Sequence, residues 1–405
     1  MISDNKPVVT VLSRNYSTGL GLIRSLGSAG YTVDLVASAR RRNSSDIAAA
    51  SKYVRNSVEF LTDSVYGSKG EEIAEHLLGS AGKEDGQKVL FPADDYTTYV
   101  MDMNRESLKD CFVMPGIKGG KSGDLCRLME KDVQGELARE AGLKRPFETV
   151  VSLGEEKALP PDIVYPCFIK PLKSVDGEKQ EMAVAANRQE LEAVLGHLRK
   201  SYPDRSVLVQ EYLNIDKEYD VGGVCLGERI IIPAVIEKTR IAEHEVGVTM
   251  TGRLLPLDTL GDKTLKPLLK MLRGLDYYGM FDLEFNLCGG SAYFNEINFR
   301  SGGPHFSYYL NGVNLPDIFV RGVTGQEIGQ EEEKLKSFGK TFVYEKVAWE
   351  DFIHGFMNKS ELARTISDAD YTLLANADDP EPGRIFEKKI RLSALKNKTL
   401  KFLKR

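Results

Sequence analysis

The chain has 405 residues, 42% hydrophobic and 28% charged, with a net charge of −5. That is an ordinary soluble composition, long enough for two or three domains that each bury a core. It carries no general attraction for nucleic acid, and no run approaches the roughly 18 consecutive apolar residues of a membrane span.

"VVTVLS" (8–13) is a short β-branched run, followed by turn, helix and glycine stop in "NYSTGLGLIRSLGSAG" and a second strand in "YTVDLVAS" (31–38). This β-α-β opening predicts a parallel sheet. Gly19 and Gly21 make half of a G-x-G-x-x-G, but Arg24 stands where the third glycine belongs, which argues against a dinucleotide site. "KVLFPADD" (88–95) is a further buried strand that ends in acids. Ligands in open α/β sheets sit at such carboxyl-terminal edges. Arg14 and Asn15 after the first strand, and Asp94 with Asp95 after this one, are therefore substrate candidates; an ordinary surface loop is the alternative.

"SGDLCRLMEKDVQGELAREAG" (122–142) reads as one helix. A small α+β unit follows: strand "PCFIKPL" (166–172), a turn and returning strand over 173–185, an amphipathic helix over 187–202, and strand "SVLVQEYL" (206–213). Residues 218–239 suggest an antiparallel hairpin, 263–275 a helix, and "GMFDLEFNLCGGSAYFNEINFR" (279–300) a hairpin turning at Gly289-Gly290. The segment 331–405 is more polar and gives no motif. From Lys388 to Arg405 it holds eight Lys or Arg and no acid. That predicts a solvated terminal helix or frayed tail, or a peripheral contact with an anionic membrane surface.

The hairpin over 279–300 is the richest stretch. Alternate strand residues share a face, so Glu296, Asn298 and Arg300 project together, as do Asp282 and Glu284 on the other strand. Carboxylates gathered on one face repel unless something positive lies between them. Oxygen donors of this kind suit Mg²⁺, which takes one or two carboxylates plus substrate phosphates; a solvated polar face is the alternative. Lys170, set among Phe168 and Ile169, is either a snorkelling lysine or, with Lys131, a cation for phosphate. Glu211 and Glu218 could hold ribose hydroxyls and a nearby base edge. Lys238, Arg240, His244 and Arg253 lie in a polar stretch that could touch phosphate or substrate.

In this order these residues resemble the ATP-grasp superfamily, from about residue 5 to 325. The most specific part is Glu284, a gap, then Glu296-x-Asn298-x-Arg300, with a glycine turn between. The resemblance implies ATP as substrate, and Mg²⁺ (or Mn²⁺) held by Glu284, Glu296 and Asn298. Lys131, Lys170, Ser174, Gln210, Glu211, Tyr212, Leu213, Glu218 and Lys238 would frame the nucleotide. The main-chain groups of Tyr212 and Leu213 would read the base. Arg300, and Lys170 with it, would be catalytic, and Arg14, Asn15, Asp94, Arg253 and Arg300 would face the substrates. One departure is the covering loop "KSVDGEKQ", with the single glycine Gly177 where relatives have adjacent ones.

The implied fold is α/β and α+β: a Rossmann-like domain over 1–115, a linking helical segment over 116–146, a small lid domain over 147–213, a larger antiparallel-sheet domain over 214–330, and a C-terminal extension over 331–405. The implied activity is a carboxylate–amine ligase working through an acyl phosphate, on small-molecule carboxylate and amine substrates. The "NFRSGGPH" ending and the extension are most similar to D-aspartate ligase-like enzymes acting on a cell-wall precursor. A dipeptide synthetase, a carboxylase-like enzyme and a non-catalytic nucleotide-binding module are the alternatives. A homodimer is a further expectation from the resemblance. The five cysteines (Cys111, Cys126, Cys167, Cys225, Cys288) show no CxxC pair or metal spacing, and "MISDNKPVVTVLS" lacks a signal-peptide pattern. A reducing, cytoplasmic setting is expected.

Overall fold

The computed structural model describes residues 6–14, 16–39, 46–62, 70–82, 86–154, 159–172, 182–245 and 247–403, with side chains to 394. Three sheets organise these residues. The first is parallel, in the order β3-β2-β1-β4, from β1 (Val8–Ser13), β2 (Thr32–Ala39), β3 (Val54–Leu61) and β4 (Lys88–Pro92). Its central strands are buried on both faces, which is why β1 and β4 read as unbroken apolar runs. Strand β3 lies at the edge and is largely exposed. Its polar sequence "VRNSVEFL" gives no strand signal, and the sequence reading passes over it.

A short β5 (Gly116–Ile117) joins the third sheet and leads to the linking helices. Where one helix was expected over 122–142, there are two, Asp124–Leu128 and Lys131–Ala141. The break at Met129-Glu130 makes Lys131 the first residue of the second helix. The second sheet is small and antiparallel, β6-β9-β7-β8, from β6 (Glu148–Ser152), β7 (Cys167–Pro171), β8 (Ala183–Ala185) and β9 (Ser206–Glu211). The helix Arg188–Ser201 buries Leu191, Leu195 and Leu198 against it.

The third sheet has nine strands and forms the platform. Its main strands are β10 (Lys217–Leu226), β11 (Arg229–Ile231), β12 (Val235–Ile241), β13 (Thr249–Leu255), β14 (Tyr277–Cys288) and β15 (Ser291–Asn298). Two more come from the segment that gave no motif: β16 (Thr341–Val343) pairs with β13, and β17 (Tyr371–Thr372) pairs with β16. The extension is thus part of the platform. It also returns to the first sheet's unit. Asp379 accepts from Arg24 Nε at 2.9 Å, from Ser51 Oγ at 2.8 Å and from the Lys52 N–H at 2.9 Å. The helix Pro380–Leu403 carries the basic tail. No helix among the described residues is long and apolar enough to cross a membrane, and all five cysteines are free.

Candidate active site between the small sheet and the platform

The acids are placed by the β14–β15 hairpin. Gly289 and Gly290 have φ of 54° and 72°, the two left-handed residues that a tight hairpin turn requires. That turn sets the register, with Glu284 opposite Glu296 and Asp282 opposite Asn298. The intervening Phe281, Leu283, Phe285, Ile297 and Phe299 are buried in one core on the other face. A bulge after Glu284 gives β15 one extra residue, Asn295, a device that re-aims side chains beside active sites. Its Oδ1 accepts from Lys170 Nζ at 3.2 Å.

Two lysines complete the opposite wall. Lys131 Nζ lies 3.9 Å from Glu296 Oε2 and donates to the Pro171 carbonyl at 3.3 Å. Lys170 reaches in from β7 and is 5% exposed. Burial first, and the neighbouring Lys131 second, bring its pKa from the usual 10.5 down to about 8. Glu296 responds the other way. Burial pushes it up, but Lys131, Lys170 and Arg300 together hold it below the ordinary carboxylate range. Glu284 is held above that range by burial and by repulsion from Glu296 and Asp282, which outweigh Lys238.

Between these walls is a cavity of about 310 Å³. Its lining combines the charged Lys131, Lys170, Glu284 and Glu296 with the apolar Phe168, Met182, Leu213 and Ile215. Gln210 and Glu211 end β9 beside it. Gln210 Nε2 donates to Glu148 at 3.1 Å, and a Glu211 side-chain oxygen accepts the Phe147 N–H at 3.2 Å. The Tyr212 N–H is already committed to the Pro166 carbonyl at 2.9 Å. Of the main-chain groups expected to read a base, this leaves the Tyr212 carbonyl and those of Leu213. Glu218 lines the cavity and lies 3.3 Å from Lys238, which also meets Asp220 at 3.1 Å and Glu284 at 3.4 Å.

Beyond the acids lies Arg300. It donates to Asp282 at 3.1 Å and, across to the first sheet's unit, to Asp95 at 3.0 Å. Asp282 is also bonded to His305 Nε2 at 3.0 Å. Two glycines make room for this pair. A Cβ on Gly222 would meet His305 Nε2 at 2.2 Å, and one on Gly302 would meet Asp282 Oδ2 at 2.6 Å.

No family model matches the chain. A stretch of 230 residues is 26% identical to the carbamoyl phosphate synthase large chain of Agathobacter rectalis. That stretch is 55% of this chain and spans only 21% of that protein. Among solved structures, an L-amino acid ligase from Bacillus licheniformis superposes with a TM-score of 0.61 at 14% identity, over 84% of this chain and 79% of its own. N5-carboxyaminoimidazole synthetase from Staphylococcus aureus gives 0.59 at 16%, over 83% and 80%. The biotin carboxylase domain of Hydrogenobacter thermophilus 2-oxoglutarate carboxylase, in complex with MgADP and bicarbonate, gives 0.62 at 16%, over 82% and 73%. The fold is ATP-grasp. Its three sheets are the parallel one of β1–β4, the small antiparallel one of β6–β9, and the antiparallel platform.

The fold brings together Lys131, Lys170, Gln210, Glu211, Tyr212, Leu213, Glu218, Glu284 and Glu296, all of which line this cavity. Asn298 is buried beside the acids, opposite Asp282. Ser174 and Asn15 lie outside the described residues. Among the described residues no three His, Cys, Asp or Glu side chains converge as a metal cage. Two carboxylates and an amide are the sparse, all-oxygen set that Mg²⁺ accepts, because phosphate oxygens and waters fill the rest of its shell. The repulsion that raises Glu284 is the charge such an ion would neutralise.

Arg253 and Asp94, both expected from the sequence to face the substrates, are held by protein partners. Arg253 stands opposite Glu237 on β12, while Lys238 stands opposite Gly252. Its guanidinium is bonded to Glu237, which also binds Lys217 at 2.7 Å, on the face away from Lys238. A one-residue step in register reverses the face. Asp94 caps the helix Asp95–Met103, accepting the Thr97 N–H at 3.0 Å, and accepts the Arg14 N–H at 2.6 Å. It shapes the edge of the first sheet and is committed there. Arg14 lies with its guanidinium 5.0 Å from the Tyr96 ring centre, at that same edge. The residues that sequence reasoning missed are Asp95 as a partner of Arg300, Asp220, Asn295 and His305. The alternation that exposed Glu284 also pointed to Asp282 and, on β10, to Asp220; nothing local announced the bulge at Asn295.

Proposed function

We propose that the protein is an ATP-dependent carboxylate–amine ligase that forms an amide or peptide bond through an acyl phosphate, releasing ADP and phosphate. The observation that carries this reading is the gathering of Glu284 and Glu296 with Lys131 and Lys170 in the lining of one cavity, with Arg300 bonded to the adjoining Asp282. The apolar lining of Phe168, Met182 and Ile215 fits an adenine, and Glu218 a ribose hydroxyl. Lys131 and Lys170 would hold the phosphates; an incoming polyphosphate restores the charge that burial weakens on Lys170. Mg²⁺ held by Glu284, Glu296 and Asn298 would supply charge neutralisation at the transferring phosphoryl group.

Arg300 would orient the acceptor carboxylate, whose oxygen attacks the γ-phosphorus while ADP leaves. An amine nitrogen then attacks the acyl carbon and phosphate departs. The lid sheet would exclude water from the reactive acyl phosphate. The likeness to an L-amino acid ligase supports an amino acid as one substrate. D-aspartate with a lysine side-chain amine is the finer reading, carried by the "NFRSGGPH" stretch.

The test is ADP and phosphate release from MgATP with the standard amino acids and D-aspartate, with hydroxylamine present to capture acyl phosphates as hydroxamates. Release that depends on one carboxylate, together with its hydroxamate, is the expected result. ATP cleavage that no carboxylate stimulates and that yields no hydroxamate would sink the ligase reading.

A further inference from the structure

Arg300 is shared between two carboxylates that are held very differently. Asp282 accepts from Nη1 at 3.1 Å, is 7% exposed at its side chain, and has its other oxygen on His305 Nε2 at 3.0 Å. His305 is fixed in turn, because its Nδ1 accepts the Gly302 N–H at 2.9 Å. The ring proton therefore sits on Nε2 and is donated to Asp282. Asp95 accepts from Nε at 3.0 Å and its side chain is 26% exposed. Among the described residues Arg300 is its one side-chain partner. It stands at the start of the helix Asp95–Met103, at the carboxyl-terminal edge of the first sheet.

A guanidinium grips a carboxylate through one of two forks, Nη1 with Nη2 or Nε with Nη2. Asp282 takes Nη1, one nitrogen of the first fork, and Asp95 takes Nε, one nitrogen of the second. A substrate carboxylate can be held through two parallel bonds only if one acid leaves. Asp282 would abandon a buried network, leaving His305 without its partner; Asp95 would turn into the cleft.

We propose that Asp95 is the exchangeable counter-ion of Arg300, displaced by the acceptor carboxylate and then selecting a cationic amine as the second substrate. This inference rests on the ligase reading above. Once Arg300 holds the substrate's oxygens, the Asp95 carboxylate stands beside the reacting carbon without its cation. An ammonium restores the pairing and passes one proton to the Asp95 carboxylate before its freed lone pair attacks and phosphate leaves; a neutral nucleophile makes no such pair.

The test compares wild type with Asp95→Asn, using the carboxylate found in the amino-acid panel and two nucleophiles: L-lysine, which carries ammonium groups, and hydroxylamine, uncharged at neutral pH. The ratio of lysine-dependent to hydroxylamine-dependent turnover is expected to fall about tenfold or more in Asp95→Asn. The loss should lie mainly in the KM for the amine, while the KM for the carboxylate does not rise, because its competitor for Arg300 is gone. Asp95→Glu keeps the charge and is expected to restore much of the ratio, which separates charge from folding. An unchanged ratio, or a carboxylate KM that rises with the amine KM, overturns the role of Asp95 even when wild type forms hydroxamate. A wild type that forms no hydroxamate removes the ligase reading, and this inference with it.

Discussion

Glu284 and Glu296 stand directly opposite one another on adjacent strands, yet their carboxyls are driven in opposite directions. Lys131 and Lys170 draw Glu296 down against its burial; burial, then repulsion from Glu296 and Asp282, pushes Glu284 up. Glu296 therefore stays a ready anion, with Lys131 Nζ 3.9 Å away and Glu284 opposite it on the next strand. Replacing it by glutamine keeps the shape and removes the charge. Glu296→Gln is expected to lower ATP turnover by about 100-fold or more, with far less change in nucleotide binding. Steady-state kinetics beside a nucleotide titration checks this; equal losses in both would place Glu296 in binding alone.

Lys170 makes a pH prediction. Its pKa in the fold is about 8 against the usual 10.5. Below about 8 it is a cation, and above it the cation is lost. Affinity for MgATP is expected to weaken as pH rises through about 8, and Lys170→Met should flatten that step. The stability sign is the reverse. Between about 8 and 10.5 the unfolded chain binds the proton and the folded chain does not, so this group's contribution to stability rises with pH across that window. Unfolding midpoints that show no difference in pH slope between wild type and Lys170→Met would refute it.

The hairpin, the lysines and the row of polar residues were legible because each obeys a local rule. Two glycines mark the turn, β-branched runs mark the strands, and alternation marks the face. What was hidden depends on distant partners. The partner of Arg253 could not be read locally, because its face is decided by pairing with Glu237, sixteen residues earlier in the chain and on another strand. Strands β16 and β17, of three and two residues, are too short to show any period. His305 gave no signal, since its partner Asp282 lies 23 residues away and is reached only through the fold.

Lys238 makes the third prediction. It is the cation shared by Glu218, Asp220 and Glu284. Burial and the nearby Asp282 and Glu284 already raise Asp220 well above the ordinary range, despite Lys238. Lys238→Met would leave three acids without their counter-ion and is expected to cost about 3–5 kcal/mol. Acids with raised folded pKa values stabilise the fold at low pH and lose that contribution as pH rises. The cost should therefore shrink as the buffer is made more acidic. Urea unfolding of the variant at two pH values measures it; a cost that grew toward acid pH would contradict the assignment.

The extension supplies the fourth. Arg24 and Asp379 are 2% and 1% exposed, and Arg24 also donates to the Leu374 carbonyl at 2.9 Å. Removing one member of such a pair strands the other in the core. Asp379→Ala is expected to lower stability by about 3–5 kcal/mol, because Ser51 and the Lys52 N–H lose their acceptor too. A loss under about 1 kcal/mol would show that water replaces the carboxylate.

The last prediction uses a glycine. Gly222 lies on β10 where any Cβ would overlap the His305 ring at 2.2 Å. Gly222→Ala is therefore expected to push His305 off Asp282, and Asp282 is the fixed anchor of Arg300. The expected signature is a loss of turnover and a higher KM for the carboxylate, with nucleotide binding retained, since Gly222 does not line the nucleotide cavity. Loss of that cavity's affinity for MgATP in step with turnover would instead mean that the whole platform, and not the Arg300 anchor, depends on this close approach.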